Sequence, residues 1–431
     1  MSEDVRSMKS GTSRRGGSTT RFAGRAGRRV ATVTAALGAL AAISAGLAPS
    51  AVADDVQSKQ WYLDAMGAKD LWKVSTGKGI SVAVIDSGVN SASKSLSGKV
   101  FPGVDVTGSA GSATDDYAGH GTTIAELIAG TGAAGGIKGV APDAKIIPIR
   151  TRLTAIKDKS VINKGDTTSK AIRAAADSDA RIINMSFGSD FPLDGGLEAV
   201  KYAQSKGKLL FASVGNGAEE KNYIGYPAKY PGVVGVSAAD KSGQVGKFSE
   251  SGNYVQLAAP GLDIPAWCNN DFQSYCTGDG TSMASAIASG AAALIWSKHP
   301  TWTANQVLRV LIDTAGRDWP KDKPSRYLGY GLIRPARNLL HGEGSPGAGN
   351  VDPITNEKTT AASTSGATPS ASVPASSQPS KSTSGGETSA AGSSAKSSDS
   401  NDQLWIVLGV AAAVVVIGGG AFAVLRSRRS G

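Results

Sequence analysis

The sequence predicts an α/β fold, a mostly parallel sheet with helices on both faces. Three observations lead there. Short, continuous apolar runs recur at residues 80–85, 144–149, 181–185, 209–214 and 233–237, as expected of strands buried on both faces. Helix-like stretches at 121–130, 168–177 and 197–206 alternate with them, the pattern of parallel strands joined by helical crossovers. Polar, glycine-bearing turns such as Asp86-Ser87-Gly88 follow the runs. In such sheets functional groups sit just past the carboxyl ends of strands.

The chain of 431 residues is long enough for one large domain with appendages. Residues 1–29 hold eight Lys or Arg against Glu3 and Asp4, and an apolar stretch ending in Ala51-Val52-Ala53 follows. Residues 1–53 therefore read as a secretory signal peptide, cut after Ala53; an uncleaved anchor helix is the alternative. Residues 54–78 form a short N-terminal arm and 79–341 the folded domain. Residues 342–403 are rich in Ser, Thr, Ala, Gly and Pro, with almost no large apolar side chains. Such a segment cannot bury enough surface to fold and reads as a disordered stalk.

Residues 404–425 are 22 in a row without a charge. At ~1.5 Å per residue they span ~33 Å, the hydrocarbon thickness of a bilayer, and predict a transmembrane helix. Residues 426–431 carry three arginines, which places that tail in the cytoplasm and the domain outside, in a single-pass membrane protein. The formal charge of +10 is concentrated in these two ends. No basic face interleaved with aromatics is left for nucleic acid.

Two cysteines, Cys268 and Cys276, fall on the outward side. An even count in an oxidising compartment suggests one disulfide closing a short loop. Two free thiols are the alternative; a metal site is a poor fit, with two ligands and no neighbouring His. No clean acidic calcium loop stands out, and Asp115-Asp116, close before His120, reads as part of a cleft. No cofactor and no metal is implied.

The chemistry is concentrated in three residues. Asp86 ends a buried strand, where a half-desolvated carboxylate needs a partner. Of three histidines, His299 falls at a helix end and His341 borders the stalk. Only His120, in Gly119-His120-Gly121-Thr122, has the setting of a base. Ser282 stands in Gly278-Asp279-Gly280-Thr281-Ser282, ahead of a long run of small residues. Singly these are a turn, a loop and a helix cap. In the order Asp86, His120, Ser282 they match one known arrangement for nucleophilic serine catalysis, in which His takes the hydroxyl proton and Asp fixes the imidazole.

The stretches VAVIDSGV, GHGTTIAELIAG, INMSFG, ASVGNG, YPAKYPGVVGVSAAD, LAAPG and GTSMAS resemble the subtilisin family of serine peptidases over about residues 79–336. The leading QWYLDAMGAKDLWKVSTGKG, the cysteine pair before Ser282, YLGYGLIRP and the stalk-plus-helix end most resemble the mycosins, membrane-anchored peptidases of type VII secretion in actinobacteria. The resemblance implies a subtilisin-like sheet and an arm packed on the domain. It also implies an oxyanion hole made by the Asn216 side chain and the backbone N–H of Ser282. Substrate would lie extended between Ser186-Phe187-Gly188 and Val214-Gly215. Phe187 is larger than is common there, and Ala286 stands where many subtilisins have proline.

The expected activity is that of a membrane-anchored extracytoplasmic serine endopeptidase acting on polypeptides, with a narrow substrate range linked to a type VII secretion complex. The rival is a structural stabiliser of such a complex, its peptidase activity dispensable; a stalked adhesin accounts less well for the catalytic set. The long segment after Thr151 is expected to be either a lid on the cleft or a tolerated surface insertion.

Overall fold

Strand β1 (Ser81–Asp86) accounts for the layering. Its Val82 and Val84 join one hydrophobic cluster, and Ala83 and Ile85 a second, because successive side chains of a strand point to opposite faces. Both faces are covered, which is why the run carries no alternation of polar residues. The computed structural model describes residues 56–152, 167–223 and 225–359. The signal peptide, the transmembrane helix, the basic tail, the stalk beyond residue 359 and residues 153–166 of the segment after Thr151 lie outside the described residues.

Six strands join β1 in one sheet: β2 (Val104–Asp105), β3 (Lys145–Arg150), β4 (Ile182–Met185), β5 (Leu209–Ser213), β6 (Val233–Ala239) and β7 (Val255–Pro260). The order is β2-β3-β1-β4-β5-β6-β7, with every pairing parallel. The chain leaves β1 towards β3 on one side and returns to β4 on the other. That reversal opens a crevice at the carboxyl ends of β1 and β4, the favoured place for a site in such sheets. A separate antiparallel hairpin, β8 (Ile264–Trp267) and β9 (Tyr275–Gly278), is closed by the Cys268–Cys276 disulfide.

In the arm, α1 (Trp61–Ala65) and α2 (Ala68–Val74) bury Tyr62 and Leu71 completely. Trp61 and Trp72 donate indole N–H bonds to the carbonyls of Leu262 and Val140, at 3.0 and 2.8 Å. Helix α3 (His120–Ala129) and the central α6 (Thr281–Lys298) lie on the sheet face that carries Val82 and Val84. Helices α4 (Thr168–Asp177) and α5 (Gly196–Ser205) cover the other face.

Helix α6 is small and mostly apolar on every side because all of it but Ser282, Ser297 and Lys298 is buried. Its small residues permit close approach: a Cβ on Gly290 would lie 2.8 Å from Val140 Cβ. Helix α7 (Ala304–Thr314) begins with a capping box between Thr303 and Gln306, and α8 (Pro335–Leu339) follows.

The packed chain continues past residue 341, where composition placed the start of the stalk. Thr303 Oγ1 and Asn305 Nδ2 donate to the Gly349 carbonyl at 2.8 and 3.0 Å, and Asn305 Nδ2 also reaches Thr359 Oγ1. Polar contacts, together with Ile354 packed on the first hydrophobic cluster, tie residues 349–359 to the domain, and composition does not register them.

Candidate active site

Asp86 is the last residue of β1 and is fully buried. His120 is the first residue of α3, one position earlier than the expected helix start. Its Nδ1 lies 2.8 and 3.0 Å from the two Asp86 carboxylate oxygens. A carboxylate only accepts, so Nδ1 carries the proton and Nε2 remains the basic nitrogen. The flanking glycines make the contact possible. A Cβ on Gly121 would lie 2.0 Å from the Gly88 carbonyl, and one on Gly119 2.5 Å from the Asn269 carbonyl. Gly119 also takes a φ of 78°, which L side chains avoid.

Further hydrogen bonds, through Ser87 and Asp116, fix the pair. Asp86 Oδ1 accepts from the Ser87 N–H at 2.8 Å and lies 3.1 Å from the Ser87 hydroxyl. Asp116, also buried, is 2.7 Å from that hydroxyl. It accepts from the N–H groups of Ala118, Gly119 and Thr122 and from the Thr122 hydroxyl. The pair Asp115-Asp116 was expected at the cleft; Asp116 caps the turn that presents His120.

Burial of the imidazole works against its charged form. The charge and hydrogen bond of Asp86, with the charge of Asp116, outweigh that and raise the His120 pKa above 6.5.

Ser282 is the second residue of α6. Its hydroxyl donates to the Ser186 carbonyl at 3.0 Å, and no hydrogen bond joins it to His120. The Ser186 hydroxyl returns a bond to the Ser282 carbonyl at 2.9 Å. Below them Asn184, fully buried in β4, donates to Ser186 Oγ and accepts from Ser285 and Ser289. This polar cluster ties the end of β4 to the start of α6, so the Ser282 backbone is held from two elements.

Asn216 stands three residues beyond β5. Its Oδ1 accepts from the Thr281 N–H at 3.0 Å and the Thr281 hydroxyl at 2.8 Å. The donor at Thr281 N identifies the acceptor atom of the amide, so Nδ2 is the free donor. A Cβ on Gly280 would be 3.8 Å from Asn216 Nδ2 and 3.8 Å from Ser282 N. The two donors thus border one small space.

Residues 77–331 match the subtilase family of peptidases. The chain belongs to the subtilase family. It is 35% identical over 242 residues to subtilisin E of Bacillus subtilis, covering 56% of this chain and 61% of that protein. The minor extracellular protease Epr of the same organism is 34% identical over 285 residues, 64% of this chain and 41% of Epr. The chain thus spans between two-fifths and two-thirds of the length of these curated relatives. Among solved structures, MycP1 from Mycobacterium smegmatis is similar with a TM-score of 0.57 at 27% identity, over 70% of this chain and 89% of that one. The mycosin likeness drawn from the arm and the motif set therefore holds in three dimensions.

In this subtilase the segments expected to line the substrate groove are tied together. Ser213 Oγ donates to the Phe187 carbonyl at 3.2 Å. Ser189 and Tyr226 exchange both backbone bonds, at 2.8 and 2.9 Å. Phe187 packs on the second hydrophobic cluster, Val214 is buried, and Gly188 is exposed.

The disulfide hairpin adjoins the His120 turn. Asn270 Nδ2 donates to the Tyr117 carbonyl at 3.1 Å, and the Trp267 N–H to Thr123 Oγ1 at 3.0 Å. Beneath it the fully buried Glu126 of α3 accepts from the hydroxyls of Ser93 and Tyr275. Desolvation pushes its carboxyl up to about 7, against the pull of those hydrogen bonds.

Sequence reading missed the contacts of Ser87, Asn184, Thr281 and Glu126. Asn184 had a signal: an amide in the middle of an apolar strand run needs buried partners. Glu126 had the same signal in the helix sequence TTIAELIAG. Nothing local marks Thr281 or Glu250, whose partners come from segments distant in the chain.

Proposed function

We propose that this subtilase is an extracytoplasmic serine endopeptidase, anchored by residues 404–425 and acting on polypeptides handled by a type VII secretion complex. The observation that carries the chemistry is the two-oxygen contact between Asp86 and His120 Nδ1, at 2.8 and 3.0 Å. It fixes the tautomer that leaves Nε2 able to take a proton. Ser282 then turns its hydroxyl from the Ser186 carbonyl to Nε2 and attacks the scissile carbonyl. The new oxyanion is held by Asn216 Nδ2 and the Ser282 N–H. His120 gives its proton to the leaving amine, and water, activated by the same base, releases the acyl group.

The link to secretion rests on the likeness to mycosins. One solved relative, 31% identical, is described as an essential component of the type VII (ESX-1) secretion system. The anchor and signal peptide rest on the sequence alone. Comparing the secreted proteins of cells carrying the wild-type chain with those carrying Ser282→Ala tests the reading. Uncleaved forms that accumulate only in the variant support it. Identical profiles, with full secretion in both, favour the stabilising role instead.

A further inference from the structure

A buried acid stands at the substrate groove without a counterion. Glu250 is 4% exposed. Its N–H donates to the Gly215 carbonyl at 3.1 Å, which docks it behind the segment that carries Asn216. The carboxylate fills a hollow left by three glycines. A Cβ on Gly215 would lie 2.1 Å from its Oε2, one on Gly225 3.5 Å from Oε2, and one on Gly217 2.9 Å from Oε1. No side chain therefore intervenes between the carboxylate and the backbone wall formed by Val214-Gly215. The facing wall, Ser186-Phe187-Gly188, is tied to the same place through Ser213 and Tyr226.

The carboxylate is poorly satisfied. Oε1 accepts one bond, from the Gly217 N–H at 3.2 Å. Among the described residues Oε2 has no hydrogen-bond partner, and no Lys or Arg pairs with either oxygen. The charge that acts on it is another acid, Asp190, exposed just beyond the Ser186–Gly188 wall. Tyr254 is the other ionisable group that faces it. A largely buried carboxylate with one protein donor and an acidic neighbour is unfavourable unless water or a ligand completes it.

We propose that Glu250 is the specificity-determining residue of the pocket for the substrate side chain preceding the scissile bond, and that the pocket takes Lys or Arg. The inference rests on the peptidase reading and names its substrate class. A long cationic side chain lying between the two walls brings the missing donors to Oε2 and neutralises the charge shared with Asp190. Such a charge-assisted contact is made only once the substrate has displaced water from the groove. Without the cation, burial and the Asp190 charge push the Glu250 carboxyl up to about 7, against the Gly217 N–H.

The test is hydrolysis by the full-length protein of peptides that differ only at that residue: Arg, Lys, Leu or Ala. A fluorophosphonate that reports a competent Ser282 is run in parallel. The expected result is at least a tenfold higher kcat/KM for Arg and Lys than for Leu and Ala. In Glu250→Gln the ratio should collapse towards one. Benzamidine, a cationic mimic, should slow labelling of the wild type, and neutral toluene should not, which tests the pocket even if the variant fails to fold.

Cleavage without preference for basic residues, or a preference that survives in Glu250→Gln, overturns the inference and leaves the peptidase reading standing. Labelling of Ser282 with no hydrolysis of the Arg and Lys peptides does the same. No labelling and no hydrolysis of any peptide overturns both.

Discussion

The two flanks of Ser282 treat buried charge in opposite ways. On the proton-handling flank, Asp86 and Asp116 are matched from within: His120 faces one, and four protein donors plus Ser87 surround the other. On the binding flank, Glu250 has one backbone donor and no cation. A charge that must work in every turnover is completed by the protein. A charge that selects is left for the substrate to complete. Glu126 provides a third case, a buried carboxylate that accepts from two hydroxyls beneath the disulfide hairpin.

Perturbing each flank should have a different size and signature. The largest effect is expected on the matched side. Asp86→Asn keeps the shape but favours the wrong tautomer of His120, and kcat should fall by about 10⁴-fold with KM little changed. Steady-state kinetics on a peptide substrate would show it. A loss of less than tenfold would mean that His120 does not depend on that carboxylate.

Removal of the oxyanion donor comes next. Asn216→Ala should lower kcat by about 10²- to 10³-fold, since the donor matters most where charge develops. The Thr281 contacts that hold Oδ1 make a companion test. Thr281→Val deletes one of the two and should cost kcat in the same direction, by about tenfold or less.

A smaller effect belongs to pH. His120 must be neutral to act as base, so kcat/KM should rise with pH as the imidazolium loses its proton. Because Asp86 and Asp116 raise that pKa, the midpoint should lie above 6.5. Asp116→Asn removes one of the two charges and should move the midpoint down, towards 6.5. An unchanged profile would remove Asp116 from the electrostatics and leave it a purely structural cap.

The smallest effect concerns stability away from the reaction. Glu126 has its folded pKa raised from 4.5 to about 7. Between those values the folded state holds a proton that the unfolded chain has lost. Its contribution therefore falls as pH rises through that window and stays low above it. Thermal unfolding of Glu126→Gln should show a flatter dependence of Tm on pH from 4.5 to 7. A change of ~1 kcal/mol corresponds to roughly 2–4 °C for a domain of this size.

Much of this arrangement was legible in the chain. Buried strands announce themselves by continuous apolar runs, and a polar residue at the end of one, such as Asp86, is conspicuous against them. Gly119 and Gly121 flag His120 because close approach, to Asn269 for one and to Gly88 for the other, forbids a Cβ. What escaped was whatever depends on convergence. Glu250 lies in the unremarkable sequence Phe248-Ser249-Glu250-Ser251-Gly252. It gains meaning only when Gly215, Gly217 and Gly225 fold around it. The attachment of residues 349–359 to α7 escaped for the same reason. The Ser282 hydroxyl, resting on the Ser186 carbonyl and not on His120, is a torsional detail that no sequence pattern encodes.

The most direct measurement is reaction of the purified full-length protein with a fluorophosphonate, read by mass spectrometry of its peptides. A single adduct is expected, on Ser282, formed rapidly in the wild type and lost or slowed at least a thousandfold in His120→Ala. Absence of the adduct in the wild type, or an equal rate in His120→Ala, would contradict this assignment.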